Sequence, residues 1–315
     1  MVFRVRQKDA GYTPAPPADF VLPFELPGLG LRGRIARLDE VSSRALSAHP
    51  LPEAAQRVLA EALILSSLLG SALKLEGRVS VQLKGNGPLS LLVTDYFAAG
   101  GLRGYAKFEE TRIKDFPHDA PFSELTGEGV LAITIEPKPG ATAYQGLVPL
   151  MPEGLARSAE GYFERSEQLP TLLNLSAGPI YRAGADNGWR AGGIMLQAVP
   201  ESDVGETGQS DDWQRVQMFL DTLESYELLD TSLSAESVLW RLFHEDEVRV
   251  QPSHRLKFQC TCNAEKVRSV LRSYPEAELV ELTEIDRVVR TRCEFCGEAY
   301  VFSIEELTAG SETQV

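Results

Sequence analysis

The residues best suited to chemistry sit in the last sixty positions, where all four cysteines of the chain are found: Cys260-Thr261-Cys262 and Cys293-Glu294-Phe295-Cys296. Two short-spaced pairs, brought together by the fold of residues 263–292, supply the four thiolates of a closed tetrahedral zinc site. Gly297 follows the second pair, where the chain must turn tightly behind a ligand and glycine takes positive φ freely. The first pair is unusual. A one-residue gap puts successive thiols on opposite sides of an extended chain unless the backbone kinks at Thr261. Such a pair can also close a small, strained and therefore labile disulfide. Two readings follow from spacing alone. One is a structural zinc ribbon, a constitutive adaptor that staples a C-terminal module for nucleic-acid or protein contact. The other is a redox sensor, whose poised thiolates pass to two disulfides and give up the metal under oxidation.

The elements that must position these thiols are short. Asn263 caps a helix running to about Ser273, Pro275 opens another, and Tyr300 to Phe302 forms a strand behind the knuckle. Upstream, residues 201–257 read as a helical linker. Between Glu201 and Asp230 there are nine acids against one base, Arg215. Two amphipathic helices are embedded there or just beyond: one with Trp213, Val216, Phe219, Leu220 and Leu223, the other with Val238, Leu239, Leu242 and Phe243 after an N-cap at Ser234. Glu245-Asp246-Glu247 at the end of the second opposes its dipole. These helices need a neighbour, and their apolar stripe is either a docked core face or a surface for partners.

Residues 21–200 read as an α+β domain. Strands are expected over 31–39, 79–83, 89–96, 102–108, 130–136, 143–148, 171–176 and 191–199, mostly antiparallel. Helices are expected over 42–49, 52–75 and 153–168. The Gly184 to Gly188 stretch reads as a turn. The helix over 52–75 carries apolar residues so broadly that it must be buried. Residues 1–20, with Pro14, Pro16 and Pro17, read as a flexible extension.

Composition excludes several classes. A formal charge of −14 argues against binding that depends on neutralising phosphates, so no nucleic-acid partner is expected. No apolar run reaches a membrane span and no signal-peptide core follows Met1, so a cytoplasmic protein without a membrane partner is expected. Four thiols kept together suit a reducing compartment. Gly85-Asn86-Gly87 lacks the partners of a phosphate loop. The histidines, His49, His118, His244 and His254, adjoin neither a cysteine nor a convincing serine nucleophile, and Ser166 lacks elbow glycines. No catalytic residue is assigned.

Several stretches together carry a specific resemblance: Val81-Gln82-Leu83-Lys84-Gly85-Asn86-Gly87-Pro88-Leu89, Tyr144-Gln145-Gly146, Tyr162 through Thr171, Val238 through Glu245, Phe258-Gln259-Cys260-Thr261-Cys262, and Cys293 through Gly297. In these the chain resembles the 33-kDa heat-shock protein family of redox-regulated molecular chaperones. The resemblance implies an α+β core for client binding and dimerisation, a redox-sensitive helical linker, and a zinc domain over 258–315. It implies one Zn(II) per chain, held by Cys260, Cys262, Cys293 and Cys296 in a reduced, inactive state. Oxidation then pairs Cys260 with Cys262 and Cys293 with Cys296. Zinc leaves, tail and linker unfold, the chain forms a homodimer, and unfolding proteins are held without ATP. The linker and client surface falls on Trp213, Phe219, Leu220, Leu223, Leu239, Trp240, Leu242 and Phe243. Residues 284–290 depart from the acidic-Gly-x-Ile turn expected before the knuckle, and the N-terminal extension is longer than usual.

Overall fold

The computed structural model describes residues 3–4, 18–113, 116–117, 119–181, 187–199, 211–283 and 287–308. Most of the expected extension, the acidic stretch 201–210, His118, most of the turn at Gly184 and residues 284–286 lie outside these. The chain divides into two compact units, residues 1–258 and 259–315.

The first unit is built around Glu53–Ala72, a twenty-residue helix that buries residues on every side. Such a helix needs apolar neighbours all round, and it has two sheets to pack against. The first sheet runs in the order 3–4, 249–250, 20–26, 31–38, 188–198, 171–180, with 254–255 also pairing on 20–26. The second runs 257–258, 101–108, 89–97, 78–85, 129–136, 144–149. Pairing is antiparallel except where Lys257–Phe258 joins Gly101–Leu102. The fold is α+β, as expected. A hydroxyl pair, Ser66 Oγ and Thr94 Oγ1 at 2.6 Å, joins the central helix to the second sheet without leaving a buried donor unmade.

Several local expectations shift. Strand Phe20–Leu26 was not anticipated. It lies fully in the first sheet despite Pro23, and Asp19 beside it is 6% exposed. The Asp19 carboxylate accepts from the backbone N–H groups of Asp39, Glu40 and Val41. It thus caps helix Glu40–Ser47, which begins two residues before the expected Ser42. The helix expected over 153–168 is α-helical only over Leu155–Tyr162. It continues as one π-turn, Phe163–Glu167, closed by Gln168 at φ 52°. The linker is helical over Asp211–Asp221, Ser225–Leu229 and Ala235–Phe243, then extended from Arg249, where its short strands join both sheets.

One face of the first sheet packs on the central helix and the other is covered by the linker. Along Leu31–Leu38 the alternation is plain: Ala36 and Leu38 turn to the helix, Leu31 and Ile35 to the linker. No helix among the described residues is long and apolar enough to cross a membrane.

Glu61, on the central helix, has its carboxyl pushed up to about 7 by burial, against the pull of Arg57 at 3.5 Å. The unfolded carboxyl titrates near 4.5. The stability it contributes is therefore whole below about pH 4.5 and lost as pH rises through 7. Its side chain keeps 15% exposure, so Glu61→Gln is expected to stabilise by about 2 kcal/mol at pH 8 and by nothing measurable at pH 4. Thermal midpoints of both proteins across that range provide the check. A gain independent of pH would contradict it.

Candidate metal centre

The second unit has a small core of Leu271, Leu279, Val289, Phe302 and Leu307. Helix Ala264–Leu271 starts where expected, with the Asn263 side chain accepting from Lys266 N–H at 2.9 Å. Pro275 opens helix Glu276–Glu281. The expected strand at 300–302 is Ala299–Ser303. Its partner, Val288–Arg292, was not anticipated.

That hairpin presents the second cysteine pair. Cys293 N–H donates to the Glu298 carbonyl at 2.9 Å, and Gly297 N–H to the Cys293 carbonyl at 2.9 Å, with Gly297 at φ 71°. This is a tight knuckle, and the left-handed residue is the glycine that costs least there. The first pair lies on extended chain between Phe258 and the cap at Asn263.

All four sulfurs lie within 4.8 Å of one another, and all four cysteines are free thiols of intermediate burial. Cys260 and Cys293 Sγ are 3.7 Å apart, and Cys262 and Cys296 Sγ 3.4 Å. A tetrahedron with metal–sulfur bonds of about 2.3 Å has edges of about 3.8 Å, so the donor set fits a single ion. Four soft thiolates and no oxygen ligand favour zinc over the hard cations. The sulfurs also have their own donors. Tyr300 Oη donates to Cys262 Sγ at 3.1 Å, and the backbone N–H groups of Cys262 and Glu298 reach Cys260 and Cys296. Such outer contacts orient ligands and tune their basicity.

The thiols do not titrate alike. Burial pushes Cys260 up, but the Cys262 N–H and the neighbouring thiols outweigh it and bring it down to about 7. Burial raises Cys262 and Cys296, and for Cys296 the adjacent sulfurs raise it further. Without a cation, thiolate charge cannot accumulate at one point, so Cys260 ionises at the expense of Cys262 and Cys296. A bound dication removes that conflict.

The linker residues singled out in the sequence fall into two sets. Trp213, Leu220, Leu223, Leu239, Leu242 and Phe243 are buried on the first sheet and Phe219 packs beside them, with Phe243 centred 6.4 Å from Phe24 and 6.2 Å from Phe219. Trp240 is not among them. It is 43% exposed and lies against His244. Arg215, the lone base of the acidic stretch, makes a two-pronged contact with Asp246 at 2.9 and 3.1 Å, which ties the first linker helix to the end of the last. Periodicity could find the apolar stripe. It could not find Arg37 and Arg190, which reach the linker from the sheet.

A family model described as Hsp33 protein matches residues 19–303. The chain is 38% identical over 286 residues to a 33 kDa chaperonin of Caulobacter vibrioides, covering 90% of this chain and 94% of the relative. It is 36% identical over 277 residues to a 33 kDa chaperonin of Salmonella typhi, covering 88% and 89%. The crystal structure of the 33 kDa chaperonin (heat shock protein 33 homolog) of Thermotoga maritima is similar with a TM-score of 0.74 at 25% identity, over 92% of this chain and 97% of that one. With a family model spanning most of its length and relatives matched nearly end to end, the chain belongs to the Hsp33 protein family.

Proposed function

We propose that this chain is a chaperone, specifically a redox-regulated, ATP-independent holdase without catalytic residues. The observation that carries the reading is the linker. Three short helices cover one apolar face of the first sheet, and the same chain then runs through residues 249–258 into the cysteine module. Residues 21–200 act as the client-binding and dimerising core, which Phe3–Arg4, Asp19 and Phe20 of the expected extension also join, with 201–257 as the redox-sensitive linker and 258–315 as the zinc domain. The relatives, both 33 kDa chaperonins, support the chaperone role.

One Zn(II) would be held by Cys260, Cys262, Cys293 and Cys296 and would supply the cross-link that keeps a small module folded. Under a peroxide-class oxidant Cys260 pairs with Cys262 and Cys293 with Cys296. Each pair of thiolates gives up two electrons as its S–S bond forms, and one hydrogen peroxide takes them up with two protons from solvent and leaves as two waters. All four sulfurs thereby leave ligation. The neighbour pairing rests on the family resemblance and not on the geometry, whose sulfur contacts of 3.7 and 3.4 Å, Cys260 to Cys293 and Cys262 to Cys296, run between the two pairs. Cysteine module and linker then unfold, and the uncovered sheet face, with the linker stripe, binds unfolding proteins and a second copy of the chain. Exposed apolar area beyond a few hundred Å² serves such binding. The thiol cluster suits the reducing cytoplasm, and the formal charge of −14 keeps a loaded complex soluble.

Light scattering of a heat-unfolding client tests this. Peroxide-treated protein is expected to suppress aggregation and zinc-loaded reduced protein to leave it unchanged. Equal behaviour of the two samples would return the cysteines to a purely structural, constitutive ribbon.

A further inference from the structure

The linker is held to the sheet by its main chain as well as by its apolar stripe. Arg37, 4% exposed, turns to the linker side of its strand. Its Nε donates to the Leu228 carbonyl at 2.8 Å, Nη1 to that of Leu233 at 3.1 Å and Nη2 to that of Glu227 at 3.4 Å. On the adjacent strand, Arg190 Nη1 donates to the Leu229 carbonyl at 2.8 Å, while its Nε and Nη2 bond Asp39 Oδ2 at 3.2 and 2.6 Å. The carbonyls of residues 227–229 belong to the end of helix Ser225–Leu229, where no intrahelical partner exists. Gly192 is the cross-strand neighbour of Arg37. A Cβ there would stand 2.7 Å from the Leu228 carbonyl oxygen, so the linker backbone rests directly on the sheet.

Every one of these linker acceptors is a main-chain carbonyl, a group common to all polypeptides. Native proteins spend theirs in helices and ladders, whereas unfolded chains leave them available. Undocking exchanges the linker carbonyls for water at the Arg37 donors, which then stand open beside an apolar face. Resting on the holdase reading above, we infer that Arg37 and Arg190 form a main-chain clamp. It holds the linker in the resting state and, once the linker leaves, offers the same donors to the backbone carbonyls of unfolded clients. The linker thus occupies a peptide subsite whose selectivity is for free carbonyls and not for side chains.

The test uses the full chain in both redox states. Amide hydrogen exchange over residues 225–233 is measured in the reduced, zinc-loaded protein. Dissociation of chemically unfolded citrate synthase is measured from the oxidised protein. Arg37→Met with Arg190→Met is expected to speed both by about tenfold or more, given about 1.4 kcal/mol per decade and hydrogen bonds from charged donors. Gly192→Ala is expected to speed exchange similarly but to leave client dissociation within about twofold, because the donors remain. Where Met disturbs folding, Arg37→Lys keeps the cation without the fork and moves both readouts the same way. Unchanged linker exchange in the double variant overturns the clamp. Faster exchange with unchanged client release overturns its role in client binding. An oxidised wild-type protein that holds no client overturns the holdase reading and the client half with it, while linker exchange still judges the clamp.

Discussion

Removing zinc with a chelator, or replacing Cys293 by Ser, is expected to unfold residues 259–315 while most of the first unit keeps its structure. The reason is size. Among its described residues the second unit buries Leu271, Leu279, Val289, Phe302, Ile304 and Leu307, and so small a core rarely supplies more than about 3 to 5 kcal/mol. Structural zinc contributes on the order of 10 to 16 kcal/mol to comparable modules. The first unit has its own core around Glu53–Ala72 and two six- and seven-stranded sheets. Limited proteolysis followed by mass mapping gives the answer: early cuts should appear beyond Phe258 on zinc removal and be suppressed on zinc return. All three tryptophans, Trp189, Trp213 and Trp240, precede the second unit, so Trp189 fluorescence in single-tryptophan variants reports the core separately. Continued protection of residues 259–315 after complete zinc loss would defeat the expectation.

The second large effect concerns the linker with the metal still in place. Phe243 is 1% exposed and is held between Phe24 and Phe219. Phe243→Ala removes most of that contact and leaves a cavity, a change that costs about 3 to 5 kcal/mol in a well-packed core. Linker docking is only one part of a total stability of about 5 to 15 kcal/mol, so a loss of that size should shift the resting equilibrium toward an undocked linker. The expected result is increased binding of an apolar dye and measurable aggregation suppression by the reduced protein, with zinc stoichiometry unchanged. If the variant suppresses aggregation only after zinc loss, docking is controlled by the cysteine module alone. The exposed Trp240 is the companion control, since Trp240→Ala should change neither dye binding nor zinc content.

Much of the site was legible beforehand because its signals are local. Cys-x-Cys and Cys-x-x-Cys with a following glycine specify ligand type and turn chemistry within a few residues, and the sulfurs do converge. The apolar stripe from Trp213 to Phe243 was equally readable, since a period of 3.6 marks a helix face whatever covers it. Strand Phe20–Leu26 escaped because Pro23 interrupts it and its support comes from residues 31–38 and 249–255. Asp19 escaped as a helix cap because the N–H groups it satisfies lie some twenty residues away.

By itself, the sequence determined the four-thiol donor set, the α+β class and the amphipathic character of the linker, all of which depend on spacing, turn residues and periodicity. Only the tertiary structure decided what the linker stripe covers, that Trp240 stands outside it, and that Arg37 and Arg190 grip carbonyls some 40 to 200 positions away. The physical reason is that a buried guanidinium takes its partners from whatever backbone packs against it, and main-chain carbonyls leave no trace in residue type.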